Sequence, residues 1–135
     1  MNNINSVCVY SASSTKIDQT YFNAATKLGQ LLAQKDIRLI NGAGSIGLMR
    51  AVADGSLQAG GQVIGVIPRF MVEQNWHHKG LTKLVEVDSM HERKKLMADL
   101  SDGIIALPGG CGTLENFWKL SPGSNWGCTL IRLLF

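Results

Sequence analysis

Gly103-Ile104-Ile105-Ala106-Leu107-Pro108-Gly109-Gly110-Cys111-Gly112-Thr113-Leu114-Glu115 decides how this chain is read: an apolar run empties into a proline and three glycines, then a threonine and a carboxylate. Pro108 fixes the exit of a strand, and the glycines let the backbone approach an anion in dihedrals that a β-carbon forbids. A helix is expected to start there. Its unpaired N–H groups and the positive end of its dipole would face the anion, with the Thr113 hydroxyl as an added donor. Glu115, one turn in, suits water activation or the stabilisation of a growing positive charge better than it suits phosphate binding.

Outward from this stretch the chain alternates between two periods. Short apolar runs predict strands at 6–10, 37–40, 63–67, 84–87 and 103–107. Between them, 18–34 carries Tyr21, Phe22, Ala25, Leu28, Leu31 and Leu32 at helical spacing, and further helices are expected at 46–59 and 90–100. Such alternation predicts an α/β fold, a Rossmann-like parallel sheet with helices on both faces. Open parallel sheets bind ligands outside the carboxyl ends of their strands. The loops at 11–14, 41–45 and 108–113 all follow strand ends, so they are expected to meet over one pocket.

Composition narrows the class. With 135 residues, of which 45% are hydrophobic, the chain can bury one core and no second. A net charge of +3, with Lys and Arg scattered apart from Arg93-Lys94-Lys95, argues against a nucleic-acid surface. Cys8, Cys111 and Cys128 lack metal-ligand spacing, and a reducing cytoplasm is expected. No apolar run reaches the length of a membrane span, and the N-terminus has no basic leader, so a soluble cytoplasmic protein without metal is the expectation. His77-His78 reads as a pair of exposed loop histidines, because adjacent side chains on a helix point apart and no carboxylate or cysteine stands at ligand spacing. Phe70, Met71 and Trp76 beside them read as core, pocket wall or subunit contact.

Three motifs together resemble one family. Residues 108–115 match PGGxGTxxE up to its last position, Met90-His91-Glu92-Arg93-Lys94 precedes it, and Asn41-Gly42-Ala43-Gly44-Ser45-Ile46-Gly47-Leu48-Met49 is similar to a loop written YGGGxxGLM. With Val7-Cys8-Val9-Tyr10-Ser11-Ala12-Ser13-Ser14 as first strand and loop, the order and spacing resemble the Lonely Guy family of cytokinin riboside 5'-monophosphate phosphoribohydrolases. The resemblance implies hydrolysis of the N-glycosidic bond of a nucleoside 5'-monophosphate, AMP or a cytokinin nucleotide, to free base and ribose 5-phosphate. It implies Arg93 and Glu115 as catalytic residues. Lys94, Gly109, Gly110, Gly112, Thr113, Ser13, Gly42, Gly44 and Glu73 are implied as substrate contacts. It further implies a homodimer, no cofactor, and no nucleic-acid or membrane partner. Arg93 suits the task because its planar fork of donors matches phosphate or ribose oxygens as a lysine cannot.

The resemblance covers 1–115 as a nucleotide-binding domain and stops there. From Asn116 the chain breaks a young helix with Pro122-Gly123 and then shows no period. With a suitable choice of synonymous codons the same bases, read one position earlier after a G, spell EFLEIITWKQLGLHSYKTPI, a coherent amphipathic continuation. We therefore expect one missing G at the Glu115 codon, an out-of-frame tail over 116–135 and a missing C-terminal part of the fold. Asn116 then stands where the family motif has its last glutamate, and an amide cannot accept a proton as a general base does. The chain as written is expected to be impaired.

Rival readings come from other residues. Gly42, Gly44 and Gly47 satisfy GxGxxG, the mark of NAD(P)-dependent oxidoreductases, but the motif follows the second strand, and the third ends in Pro68-Arg69 where a ribose-binding acid would stand. Arg69 offers itself to a 2'-phosphate instead. Lysine decarboxylation, a label often carried by this family, needs a pyridoxal-anchoring lysine, and neither Lys94 nor Lys95 has that setting. Asn116 favours a third alternative, a non-catalytic nucleotide-binding module.

Overall fold

The computed structural model describes residues 4–11 and 19–107. Five strands, β1 (Ser6–Tyr10), β2 (Arg38–Asn41), β3 (Val63–Pro68), β4 (Lys83–Val87) and β5 (Gly103–Ala106), form one sheet in the order β4-β3-β2-β1-β5. All four neighbour pairs are parallel, with Cys8 beside Ile40 and Ile104 in the central register. Parallel strands need crossovers, and these are α1 (Gln19–Gln34), α2 (Gly47–Gln58) and α4 (Met90–Asp99), with the short α3 (Arg69–Glu73) between β3 and β4. The chain steps one way from β1 to β4, then returns past β1 to β5. With crossovers of one hand, that reversal sends α4 to the face opposite α1 and α2.

The central strands are continuously apolar because they are covered on both sides. Val9, Leu39, Val63 and Val66 are fully buried, as is Cys8. α1 and α2 approach closely where two glycines meet backbone: a β-carbon on Gly29 would strike the Val52 carbonyl, and one on Gly55 the Thr26 carbonyl. α4 begins with a reciprocal cap. Ser89 Oγ accepts from Glu92 N at 3.1 Å, and the Glu92 carboxylate accepts from Asp88 N at 2.9 Å.

The sheet, its parallel sense and the order of its elements agree with the expectation from sequence. α3 is an addition, since the sequence reading assigns no element to 69–73, which form a helical turn with extended Pro68 at its N-cap. The segments 108–115 and 116–135, with the glycine cradle and the tail, lie outside the described residues.

Candidate active site

The carboxyl ends of β2 and β3 carry the site. β2 ends at Asn41, whose buried carboxamide bends the following turn back: its Oδ1 accepts from Ala43 N at 2.9 Å, and its Nδ2 donates to Met49 O at 3.4 Å. Ala43 takes φ +61, the left-handed region where the resembling motif has glycine. Its β-carbon fits there because Gly65 opposite has none.

Arg93 reaches this turn from α4. Its Nε–H donates to Val66 O at 2.9 Å, its Nη2 to Gly42 O at 2.5 Å, and its Nη1 approaches Met90 Sδ at 3.7 Å. Gly42 must be glycine for this, since a β-carbon would collide with the guanidinium. Among the described residues no carboxylate pairs with Arg93. Desolvation lowers its pKa below the ordinary arginine value, yet arginine stays protonated in proteins. The result is a charge held in place by two carbonyl dipoles, with donors left over for a bound anion or a sugar hydroxyl.

Beside Arg93 lies a cavity of about 500 Å³ walled by Ile46, Met49, Ile67, Met71 and Trp76. Its outer wall is tied to the glycine turn by three contacts. Ser45 Oγ donates to Trp76 O at 3.0 Å, His77 bridges Gly44, and His78 N donates to Ala43 O at 2.8 Å. Trp76 is 55% exposed and Phe70 50%, so neither is core. An apolar slot with a tryptophan on one side and a fixed guanidinium on another suits a flat heterocycle joined to a polar, oxygen-rich group.

His78 departs from the sequence expectation. Its side chain is only 11% exposed, with Nε2 2.7 Å from Asp54 Oδ1 and Nδ1 accepting from Gly80 N at 2.9 Å. An acceptor at Nδ1 puts the ring proton on Nε2, donated to Asp54. The partner sits on α2, 24 residues earlier, where adjacency along the chain gives no hint of it. His77 is half-buried, its Nδ1 without a partner among the described residues.

Beneath α4 lies a second polar group. Burial pushes the Cys8 thiol up to about 12, and burial with the neighbouring thiol raises Tyr10 as well. Neither is a nucleophile at neutral pH.

Of the residues expected in the site, Gly42, Gly44 and Arg93 meet at this cavity. Lys94 is half-buried on α4 and Glu73 exposed at the end of α3, and neither lines it. Ser13, Gly109, Gly110, Gly112, Thr113 and Glu115 lie outside the described residues. Arg69, offered to a 2'-phosphate in the oxidoreductase reading, is engaged by Asp88 at 3.1 Å. Asn41 and the Val66 carbonyl were missed. Asn41 reads as an ordinary turn former, and a backbone acceptor leaves no trace in a side-chain pattern.

Fold and site define a Rossmann-type protein with a nucleotide-sized cavity at its strand ends. The family model described as "Possible lysine decarboxylase" matches residues 49–123, more than half of the chain, and the chain belongs to that family, which includes the Lonely Guy proteins. It is 41% identical over 123 residues to the cytokinin riboside 5'-monophosphate phosphoribohydrolase of Rhodococcoides fascians, covering 90% of this chain and 62% of that protein. It is 45% identical over 114 residues to the phosphoribohydrolase LOG5 of Arabidopsis thaliana, covering 84% of this chain and 50% of that one. The chain thus spans about half to three-fifths of the length of these relatives. Among solved structures, the molybdenum cofactor carrier protein of Chlamydomonas reinhardtii superposes with a TM-score of 0.74 at 21% identity, over 87% of this chain and 71% of that one. That likeness is one of fold. Among the described residues no helix is long and apolar enough to cross a membrane.

Proposed function

We propose that the protein is a nucleoside 5'-monophosphate phosphoribohydrolase, splitting the N-glycosidic bond of AMP or an adenine-type cytokinin nucleotide into free base and ribose 5-phosphate. The observation that carries this reading is Arg93, a half-buried guanidinium without a carboxylate partner among the described residues, anchored beside a largely apolar cavity of nucleotide size. The base would enter the slot against Trp76, and the sugar would lie toward Arg93. By the family resemblance, the glycines at 109, 110 and 112 with Thr113 would hold the 5'-phosphate, spending remote binding energy on positioning the anomeric carbon. As the bond stretches, positive charge grows on the sugar, and a carboxylate from this segment would stabilise it and orient water. Lys94, Ser13 and Glu73 remain proposed substrate contacts by resemblance. So do a homodimeric state and a cytoplasmic setting. The relatives' names support the activity, since the Rhodococcoides fascians and Arabidopsis thaliana proteins are named for it.

We keep the division at 115 within this proposal. If 116–135 is out of frame, the carboxylate that the motif places at 116 is missing and activity is impaired. The test is release of free adenine from AMP, followed by chromatography, in the written chain and in a version with Asn116→Glu and the alternative tail. Release only by the second identifies a damaged hydrolase. Release by neither favours the non-catalytic nucleotide-binding module.

A further inference from the structure

The turn after β2 opens on a residue that departs from the resembling motif, since Asn41 stands where YGGGxxGLM has tyrosine. Asn41 closes β2 opposite Gly65, and its side chain is fully buried. Its Oδ1 accepts from the backbone two residues on, an Asx-turn, which pins the N–H side of Ala43. His78 N pins the other side through the Ala43 carbonyl. A residue bearing a β-carbon at φ +61 stays there only when its surroundings over-determine it. Gly42 precedes it, so the direction of the Gly42 carbonyl is set by the same two bonds, and that carbonyl accepts from Arg93 Nη2.

We infer that Asn41 is a positioning residue for Arg93, its carboxamide fixing the turn whose Gly42 carbonyl seats the guanidinium. Arg93 has two strong anchors, Val66 O on Nε and Gly42 O on Nη2. Two anchors fix the plane of the fork. One anchor leaves it free to rotate about the remaining bond. Without the carboxamide, Ala43 relaxes out of the left-handed region, the peptide between residues 42 and 43 turns, and Arg93 keeps its charge but loses its orientation. The same turn holds the Trp76 wall through Ser45. Asn41 therefore acts on both halves of the cavity without touching the ligand.

The catalytic consequence rests on the hydrolase reading; the positional claim does not. The test uses the ¹⁵N-labelled full chain and the side-chain Nε–H resonance of Arg93, identified by its absence in Arg93→Lys. In Asn41→Leu, similar in volume but unable to accept, this proton is expected to exchange with solvent about tenfold faster or more, while the β1 amides stay as protected as before. Asn41→Ser keeps a short acceptor for the same turn and is expected to restore part of the protection. Unchanged exchange in Asn41→Leu overturns the inference. Should that variant fail to fold, unchanged exchange in Asn41→Ala, which also lacks the acceptor, overturns it. In the AMP assay, Asn41→Leu is expected to lower kcat about tenfold or more with KM within about twofold, and to have no further effect on Arg93→Lys. A kcat that holds while the resonance moves overturns the catalytic consequence. Release of no base by either the written chain or the version with Asn116→Glu and the alternative tail removes the hydrolase reading and leaves the exchange measurement to decide on Asn41.

Discussion

The two faces of the sheet are built from different materials. On one, α1 and α2 are drawn together by Gly29 and Gly55 over an apolar layer of which Ala25, Leu32, Val52 and Ala53 are buried parts. On the other, α4 sends Arg93 to the strand ends, within electrostatic reach of the buried Cys8 and of Tyr10 on β1. The first face spends its close packing on stability. The second accepts buried polar groups and the desolvation of a guanidinium, costs that make sense only if something binds there. Changes at the helix contact of the first face should therefore alter stability and leave the chemistry of the folded fraction intact, while changes at Arg93 on the second should do the reverse.

The largest effect is expected at the helix contact. Gly55→Val drives a side chain into the Thr26 carbonyl, so the helices must part or the backbone must shift, at a cost of about 3 kcal/mol in urea unfolding. If that variant is as stable as the parent, the close approach of α1 and α2 carries no weight. Next comes Arg93→Met. It should lower kcat/KM for AMP by about 100-fold, roughly 2.7 kcal/mol, while thermal stability changes little because a desolvated charge is removed with its bonds. A Tm drop as large as that of Gly55→Val would mean that Arg93 is structural and the contrast between the faces is false.

Smaller effects sharpen the comparison. Ser89→Ala removes the cap of α4 and should cost about 1 kcal/mol of stability, visible as earlier melting of the segment that bears Arg93. Cys8 supplies a pH dependence. Its thiol is raised from 9.0 to about 12 in the fold, so both states are neutral below pH 9 and stability does not depend on it there. Above that, the unfolded chain ionises first, and stability should fall steadily as pH approaches 12. Comparing the parent with Cys8→Ala between pH 8 and 11 isolates the effect; parallel profiles would contradict it. Ala43→Gly is the mildest change. Relief of the left-handed strain should roughly offset the added freedom of the unfolded chain, leaving stability within about 1 kcal/mol.

How much of this could be read in the sequence follows the same division. The layers were legible because strand and helix periods alternate and because turn residues mark their junctions. β1 at Ser6–Tyr10 came out as expected, while β2 ends at Asn41, one residue later than expected. α3 was not legible: Phe70, Met71 and Val72 are consecutive apolar residues with no period, and Pro68 reads as a strand terminator before it reads as a cap. At the site, Arg93, Gly42 and Gly44 were reached through motif resemblance, and the cavity brings them together. The tie between His78 and Asp54, and the Asn41 turn beneath Gly42, depend on contacts across the fold or on backbone acceptors. Such contacts have no spacing to recognise.

The central claim is that the end of β2 and β3, with Arg93, receives the sugar of a nucleoside monophosphate while the slot beside Trp76 takes its base. A crystal structure with AMP tests it most directly. The account predicts the adenine between Trp76 and Met49 and a ribose oxygen within hydrogen-bonding distance of the Arg93 guanidinium. Adenine seated elsewhere, with that guanidinium free of the nucleotide, would contradict it.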